Sequence, residues 1–193
     1  FHGGMNLVGG GVAYWDKEDK NANRFGPFFT RHAAALSFVE ALDPSPKAIA
    51  AFHKKKELNV EDFLKEKKLP DWMRYGAATY VERYRLDNTP GADAQALRKW
   101  SVSNILRTGS LDPVKRMIAM NLTVDDLDGS SKLLNESGLL VAFMLDGENT
   151  GVKTKHAAFK AAFASGDDFT DQLAELEKAL EAAGDDLKAF ADA

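Results

Sequence analysis

The sequence contains no cysteine among its 193 residues, and this absence excludes several kinds of chemistry. Disulfide bonds, thiolate nucleophiles and cysteine-ligated metal sites all require that residue. The absence does not indicate a cellular compartment, because a chain of this length buries a sufficient core without cross-links.

The sequence also lacks long apolar runs and any concentrated basic region. No run approaches the roughly 20 residues that cross a bilayer, so we expect no membrane span. The 25 basic and 29 acidic residues leave a net charge of −4, and the segment 166–193 alone contributes −7. Since a nucleic-acid-binding surface needs clustered positive charge, we expect no nucleic-acid partner.

Motifs for nucleotide, calcium and serine-hydrolase chemistry are incomplete. The glycine-rich segment Phe1–Gly11 contains neither G-x-x-x-x-G-K-[ST] nor a clean G-x-G-x-x-G, so we expect it to be flexible. The residues after Asp19 resemble the start of an EF-hand loop, but Arg24 and Thr30 stand where its Gly and Glu are required. The G-x-S-x-G elbow is absent, although a Ser-His-Asp triad is a spatial arrangement that the sequence leaves open.

Hydrophobic side chains recur at helical spacing along most of the chain. Gly11–Trp15 is rich in β-forming residues and is predicted to be a strand. Ser130–Leu145 is apolar on nearly every face, which is typical of a buried helix. The sequence therefore predicts a single, mainly helical α+β domain, 1–193, with a short N-terminal strand region. The predicted helices are Phe28–Ala41, Pro46–His53, Val60–Glu66, Asp71–Arg85, Asp93–Arg107, Asp112–Met120, Ser130–Leu145, Lys155–Ala164, Thr170–Ala182 and a short one from Gly184.

The segment Thr30–Leu36, on the first of these helices, has one feature of a zinc-binding helix. In H-E-x-x-H the two histidines are four residues apart on one helix face, so both reach one zinc ion while the Glu activates a bound water. His32 occupies the first ligand position. Ala33 stands at the general-base position and Leu36 at the second ligand position.

The segment Leu69–Glu82 matches the helix that supplies the third zinc ligand, a Glu, in gluzincin-type metallopeptidases. That helix reads roughly P-x-W-x-x-E-G-x-A-x-Y-x-E, and Tyr75 stands at the ligand position. Asn135–Leu145 is similar to the Y-x-x-S-x-x-L-V-x-F-L helix that follows it. The chain thus resembles a gluzincin-type (H-E-x-x-H…E) zinc metallopeptidase from which the zinc chemistry has been removed. The matching positions are Pro70, Trp72, Gly76, Ala78, Tyr80 and Glu82.

The resemblance implies a zincin-like, thermolysin-type helical domain. It assigns 1–27 to a glycine-rich segment and an edge strand, 28–88 to the former zinc-site helices and 89–193 to a C-terminal helical lobe. It further implies that side chains 32, 36 and 75 converge, and that the protein is an exported, periplasmic or secreted bacterial one. On the second site helix, a wide apolar stripe is predicted to be buried; its members are Trp72, Tyr75, Ala78, Tyr80, Val81 and Tyr84.

The residues present do not supply zinc-dependent hydrolysis. A catalytic zinc needs three protein ligands and one open position, and His32 is the one credible ligand. The phenol of Tyr75 has an ordinary pKa of about 10 and is protonated at neutral pH. Leu36 has no donor atom, and Ala33 has no carboxylate to take a proton from water. We therefore predict no enzymatic activity, no catalytic or metal-ligating residue and no cofactor.

The interpretation that follows is a pseudoenzyme that acts as a protein-binding, peptide-binding or structural module. An unpaired strand edge binds an extended peptide without any metal. The candidate peptide groove therefore includes Val12, Tyr14 and Trp15 of the predicted strand, with Tyr80 nearby.

Two alternatives remain at this stage. The first is an active zinc peptidase with rearranged ligands, in which His32 is joined by His53 or His156 and a carboxylate, or a hydrolase of another type. The second is a structural subunit of an oligomer or larger assembly, which the segregated charge of segment 166–193 favours.

Overall fold

A computed structural model describes residues 3–7, 10–14, 30–39, 69–84, 110–122, 126–165 and 167–192. The chain divides into two compact units, Phe1–Pro70 and Asp71–Ala193. Three of the predicted helices (Pro46–His53, Val60–Glu66 and Asp93–Arg107) lie outside the described residues.

The N-terminal unit contains an antiparallel hairpin of two strands, β1 (Gly3–Leu7) and β2 (Gly10–Tyr14). The register runs from Gly3 opposite Tyr14 to Leu7 opposite Gly10, so two residues separate the strands. β1 lies in the glycine-rich segment for which the composition predicted flexibility. Pairing with β2 is the tertiary context that overrides the low strand propensity of that segment.

Residues 30–39 of the same unit are helical and form α1. The predicted bounds, Phe28–Ala41, enclose this range. Within α1 the Ser37 hydroxyl donates to the Ala33 carbonyl at 2.9 Å. The acceptor lies one helical turn earlier, so the hydroxyl has a partner within its own helix.

The C-terminal unit is helical: the described part of the chain is mainly α, as the periodicity predicted. Among the described residues, no helix is long and apolar enough to cross a membrane. The helices are α2 (Asp71–Glu82), α3 (Val114–Ala119), α4 (Leu127–Asp146), α5 (Thr150–Ser165), α6 (Thr170–Ala182) and α7 (Gly184–Asp192).

Capping side chains explain why two helices begin earlier than predicted. The Asp126 carboxylate accepts from the Gly129 N–H at 2.8 Å, so α4 starts three residues before Ser130. The Asn149 side chain accepts from the Val152 N–H at 2.9 Å, which starts α5 before Lys155. Such caps satisfy first-turn N–H groups that have no partner within the helix.

Helix α4 forms the centre of the C-terminal unit and packs against α2, α3, α5 and α7. Its residues from Leu139 to Met144 are all buried, which confirms the prediction of a buried helix. On α3, Met117 is fully buried as core filler, as expected for a flexible apolar side chain. Phe143 of α4 meets Phe190 of α7 edge to face, with ring centroids 5.6 Å apart.

Candidate functional site

The first group of predicted site residues lies on α1, in the N-terminal unit. Ala33 and Leu36 are buried, and His32 is partly buried and already engaged in interactions. The positions that correspond to the general base and the second zinc ligand are therefore interior positions occupied by hydrocarbon. Neither side chain can bind a cation or transfer a proton.

The predicted third-ligand position lies on α2, in the C-terminal unit. Tyr75 is buried there, beside Arg74, which is only 3% exposed. The Arg74 guanidinium pairs with the Asp71 carboxylate and lies 5.5 Å from the centroid of the Tyr75 ring. A phenol ring near a guanidinium is stabilised by a cation–π interaction, so this position combines a neutral ring with a guanidinium whose charge is offset by Asp71.

The other motif positions of α2 contribute to packing. Trp72 is fully buried, and its indole N–H donates to the Glu177 carboxylate of α6 at 3.0 Å. The Asp71 carboxylate accepts from the Leu122 N–H at 2.8 Å, which ties the chain after α3 to the first turn of α2. These contacts fix the start of α2 against two other segments of its unit.

At Gly76 the backbone of α2 lies close to α4. A Cβ atom added there would lie 2.5 Å from the Ser137 carbonyl oxygen and 2.7 Å from a methyl carbon of Val141. Only a residue without a side chain fits that distance. The glycine of the motif therefore has a packing role that is independent of any metal.

The prediction of a buried apolar stripe on α2 is only partly correct. Trp72, Tyr75 and Ala78 are buried, but Val81 and Tyr84 are exposed. Val81 lies within α2 on an exposed face of the helix, whereas Tyr84 lies beyond the end of α2 at Glu82 and so does not continue the helical stripe.

Tyr80, a predicted groove residue, is buried on α2. Its hydroxyl donates to the Asp146 carboxylate at the end of α4, at 3.0 Å and 3.2 Å from the two oxygens. Val12 and Tyr14 belong to β2 in the other unit, and Trp15 lies outside the described residues. The Tyr80 hydroxyl thus already has an acceptor within its own unit.

Replacing Tyr80→Phe is expected to lower the free energy of unfolding by about 1 kcal/mol, because one hydrogen bond to a partly exposed carboxylate is lost. Urea denaturation followed by circular dichroism measures this. The matched control is Tyr84→Phe, two residues beyond the end of α2, where the side chain is 40% exposed and the change should be within about 0.5 kcal/mol. Equal losses in both variants would contradict the importance of the Tyr80–Asp146 bond.

A cluster of charged side chains that the motif search missed surrounds Glu136 on α4. Glu136 is fully buried, and its Oε1 accepts from the Asp112 N–H at 3.0 Å. Burial raises the pKa of Glu136 to about 7; the Asp112 hydrogen bond and the nearby Lys132 and Arg116 cations lower it, and the Asp112 carboxylate raises it. The sequence signal that could have found this group is a carboxylate in the middle of a nearly apolar helix.

The histidines of the rearranged-site alternative that the structure describes, His32 and His156, belong to different units. His156 lies on α5, where burial and the neighbouring Lys160 lower its pKa. His53 lies outside the described residues. Within the ranges that the structure describes, no group of three or more His, Asp or Glu side chains is arranged to hold a metal ion.

Comparison of the chain with protein-family models, with curated proteins and with solved structures finds no match.

Proposed function

We propose that this chain is a catalytically inactive, metallopeptidase-like domain that binds a protein or peptide segment. The observation that carries the proposal is the composition of the third-ligand position: a buried phenol, Tyr75, beside the buried guanidinium of Arg74. A phenol is protonated at neutral pH and a guanidinium keeps its charge. A zinc ion at this position would lack its carboxylate ligand, and the carboxylate paired with Arg74, that of Asp71, is already engaged by the guanidinium.

The two α1 positions support the same conclusion from the chemistry of their side chains. Ala33 offers no carboxylate to activate water, and Leu36 offers no lone pair to a metal. The zincin-like arrangement of the helices is part of this proposal and depends on the sequence motif. The packing roles of the motif residues Trp72 and Gly76 support the proposal that this scaffold does not depend on zinc.

Peptide binding is assigned to the edge of the hairpin. β2 pairs with β1 along one edge, and the described residues place no third strand along the other. An extended peptide adds to such an edge through backbone hydrogen bonds and needs no metal or catalytic side chain.

The proposal is tested on the full chain by metal analysis and by a peptide-hydrolysis assay. After purification from zinc-supplemented medium we expect no stoichiometric zinc, no chelator-sensitive hydrolysis, and binding of selected linear peptides that persists in the presence of a chelator. Stoichiometric zinc together with chelator-sensitive hydrolysis would instead establish the rearranged-ligand enzyme.

The motif alignment also makes a constructive prediction. The triple variant Ala33→Glu, Leu36→His, Tyr75→Glu restores the complete ligand set and base of the family pattern, so it should acquire zinc affinity that the unmodified chain lacks. Isothermal titration with zinc measures the gain. The control Ala33→Glu, Leu36→His, Tyr75→Gln lacks the third carboxylate and should bind zinc at least about tenfold more weakly. A folded triple variant with no gain over this control would refute the alignment.

A further inference from the structure

The register of the hairpin determines which backbone groups of β2 point to its outer edge. The innermost pair, Leu7 and Gly10, encloses two residues, so the Gly10 N–H and the Leu7 carbonyl face each other as a β-turn requires. Hydrogen-bonded and non-hydrogen-bonded pairs alternate along an antiparallel ladder. The pair Leu7–Gly10 is therefore hydrogen-bonded, and the next pair, Asn6–Gly11, is not.

The same alternation assigns the remaining residues of β2. Val12 and Tyr14 stand in hydrogen-bonded pairs, so their N–H and carbonyl groups point towards β1. Gly11 and Ala13 stand in non-hydrogen-bonded pairs, so both backbone groups of each residue point away from β1. The outer edge of β2 thus presents a donor and an acceptor at each of these two residues, which lie about 7 Å apart along the strand.

The composition of the hairpin leaves this edge open to a further strand. Natural sheet edges are blocked by charged residues, above all lysine, or by proline, and the segment 3–14 contains no Lys, Arg, Asp, Glu or Pro. Among the described residues the sheet has two strands. Of these, β2 contains the β-forming residues Val12 and Tyr14, whereas β1 contains no residue of the strongly β-forming types. The edge of β2 is therefore the better template for an added strand.

We infer that the backbone groups of Gly11 and Ala13 bind the partner, and that the partner is an extended peptide segment with a free N–H at every second residue. This inference rests on the proposed function, because it assigns the peptide of that function to specific backbone groups. An antiparallel partner exchanges both hydrogen bonds of Gly11 with one of its residues, and both bonds of Ala13 with the residue two positions away. The intervening partner residue directs its N–H elsewhere, so proline is excluded at alternate positions only.

The first test is amide hydrogen exchange of the full chain, read by NMR with and without a peptide selected from a random linear library displayed against that chain. The peptide should slow exchange of the Gly11 and Ala13 N–H groups by roughly tenfold or more. Exchange at Gly4 and Asn6, the outward positions of β1, should not change. Protection of Gly11 and Ala13 before the peptide is added would show that another strand occupies the edge and would overturn the inference.

A matched pair of proline variants separates the edge contact from the folding of the hairpin. Ala13→Pro removes an outward N–H of β2, and Gly4→Pro removes the outward N–H of the residue directly opposite; neither removes a ladder hydrogen bond. Ala13→Pro should weaken peptide binding by about tenfold or more, and Gly4→Pro by less than about twofold. A nuclear Overhauser effect between the Hα atoms of positions 4 and 13, a close non-hydrogen-bonded pair, reports an intact hairpin. Equal losses in two variants with intact hairpins would refute the assignment.

N-methylation of the selected peptide tests the same contact without altering the chain. Single N-methyl groups should weaken binding at every second residue of the bound segment and be tolerated at the residues between. If the losses do not alternate, the assignment to Gly11 and Ala13 is wrong although peptide binding stands. If the library yields no binding peptide, the proposed function itself fails, and this inference fails with it.

Discussion

Truncating the buried indole, Trp72→Ala, is expected to lower the free energy of unfolding by about 3 to 5 kcal/mol, the range for removing a large aromatic side chain from a core. Trp72 is 0% exposed, so its whole apolar surface is lost to a cavity or to repacking. Its N–H also donates to Glu177, so the variant leaves a partly buried carboxylate without this donor. The two losses act at the same contact between α2 and α6.

Urea denaturation followed by circular dichroism measures this difference. Trp72→Phe keeps a buried aromatic ring but loses the hydrogen bond and the volume of the second ring, so we expect a smaller cost of about 1 to 3 kcal/mol. The control Phe38→Ala removes another aromatic ring, which is 65% exposed, and should change stability by less than about 0.5 kcal/mol. A change in Trp72→Ala as small as that of the control would show that the indole is not in the core.

The helices α2 and α6, which meet at Trp72, show how much of the site can be predicted from the sequence. The predicted helix Asp71–Arg85 starts at an acidic residue, which favours a first helical turn. The start observed is Asp71. The bounds of α6 also match the prediction, because its apolar positions recur without interruption. Where periodicity and terminal signals agree, local information is sufficient.

Other features depend on partners distant in sequence. The carboxylate of Glu136 meets Asp112, 24 residues earlier, and the indole of Trp72 meets Glu177, 105 residues later. No local pattern identifies those partners. The motif indicated that Gly76 matters, but the reason, which is the approach of the Ser137 carbonyl, is a property of the packed pair of helices.

The division of the chain into two units determines what each experiment reports. His32, Ala33 and Leu36 belong to the unit Phe1–Pro70, and Tyr75 belongs to the unit Asp71–Ala193. Substitutions at Trp72 and Gly76 therefore test the packing of the C-terminal unit alone. Zinc binding by the triple variant tests the alignment of the sequence with the family pattern. The stability measurements and the zinc measurement are therefore independent, and either prediction can fail without the other.

The second large effect is expected at the contact between α2 and α4. Gly76→Ala adds a methyl group whose carbon would lie 2.5 Å from the Ser137 carbonyl oxygen. Relief requires movement of the α4 backbone, because that oxygen is not on a flexible side chain. Overpacking costs about 1 to 3 kcal/mol, and alanine regains up to about 1 kcal/mol of helix propensity. We expect a net loss of about 1 to 2 kcal/mol in the free energy of unfolding, and a larger loss for Gly76→Val.

Thermal and urea denaturation of Gly76→Ala and Gly184→Ala distinguish a steric conflict at Gly76 from the effect of replacing any helical glycine by alanine. In Gly184→Ala the new methyl group would meet a methyl carbon of Val114 at 3.9 Å, an ordinary contact, so that variant should be neutral or slightly stabilised. Val141→Ala removes the second clashing atom, so the cost of Gly76→Ala should be smaller in the Val141→Ala background than in the unmodified chain, which a double-mutant cycle measures. If Gly76→Ala were as well tolerated as Gly184→Ala, then α2 and α4 would not be packed at this distance. The packing role that the motif glycine has in this fold would then be refuted.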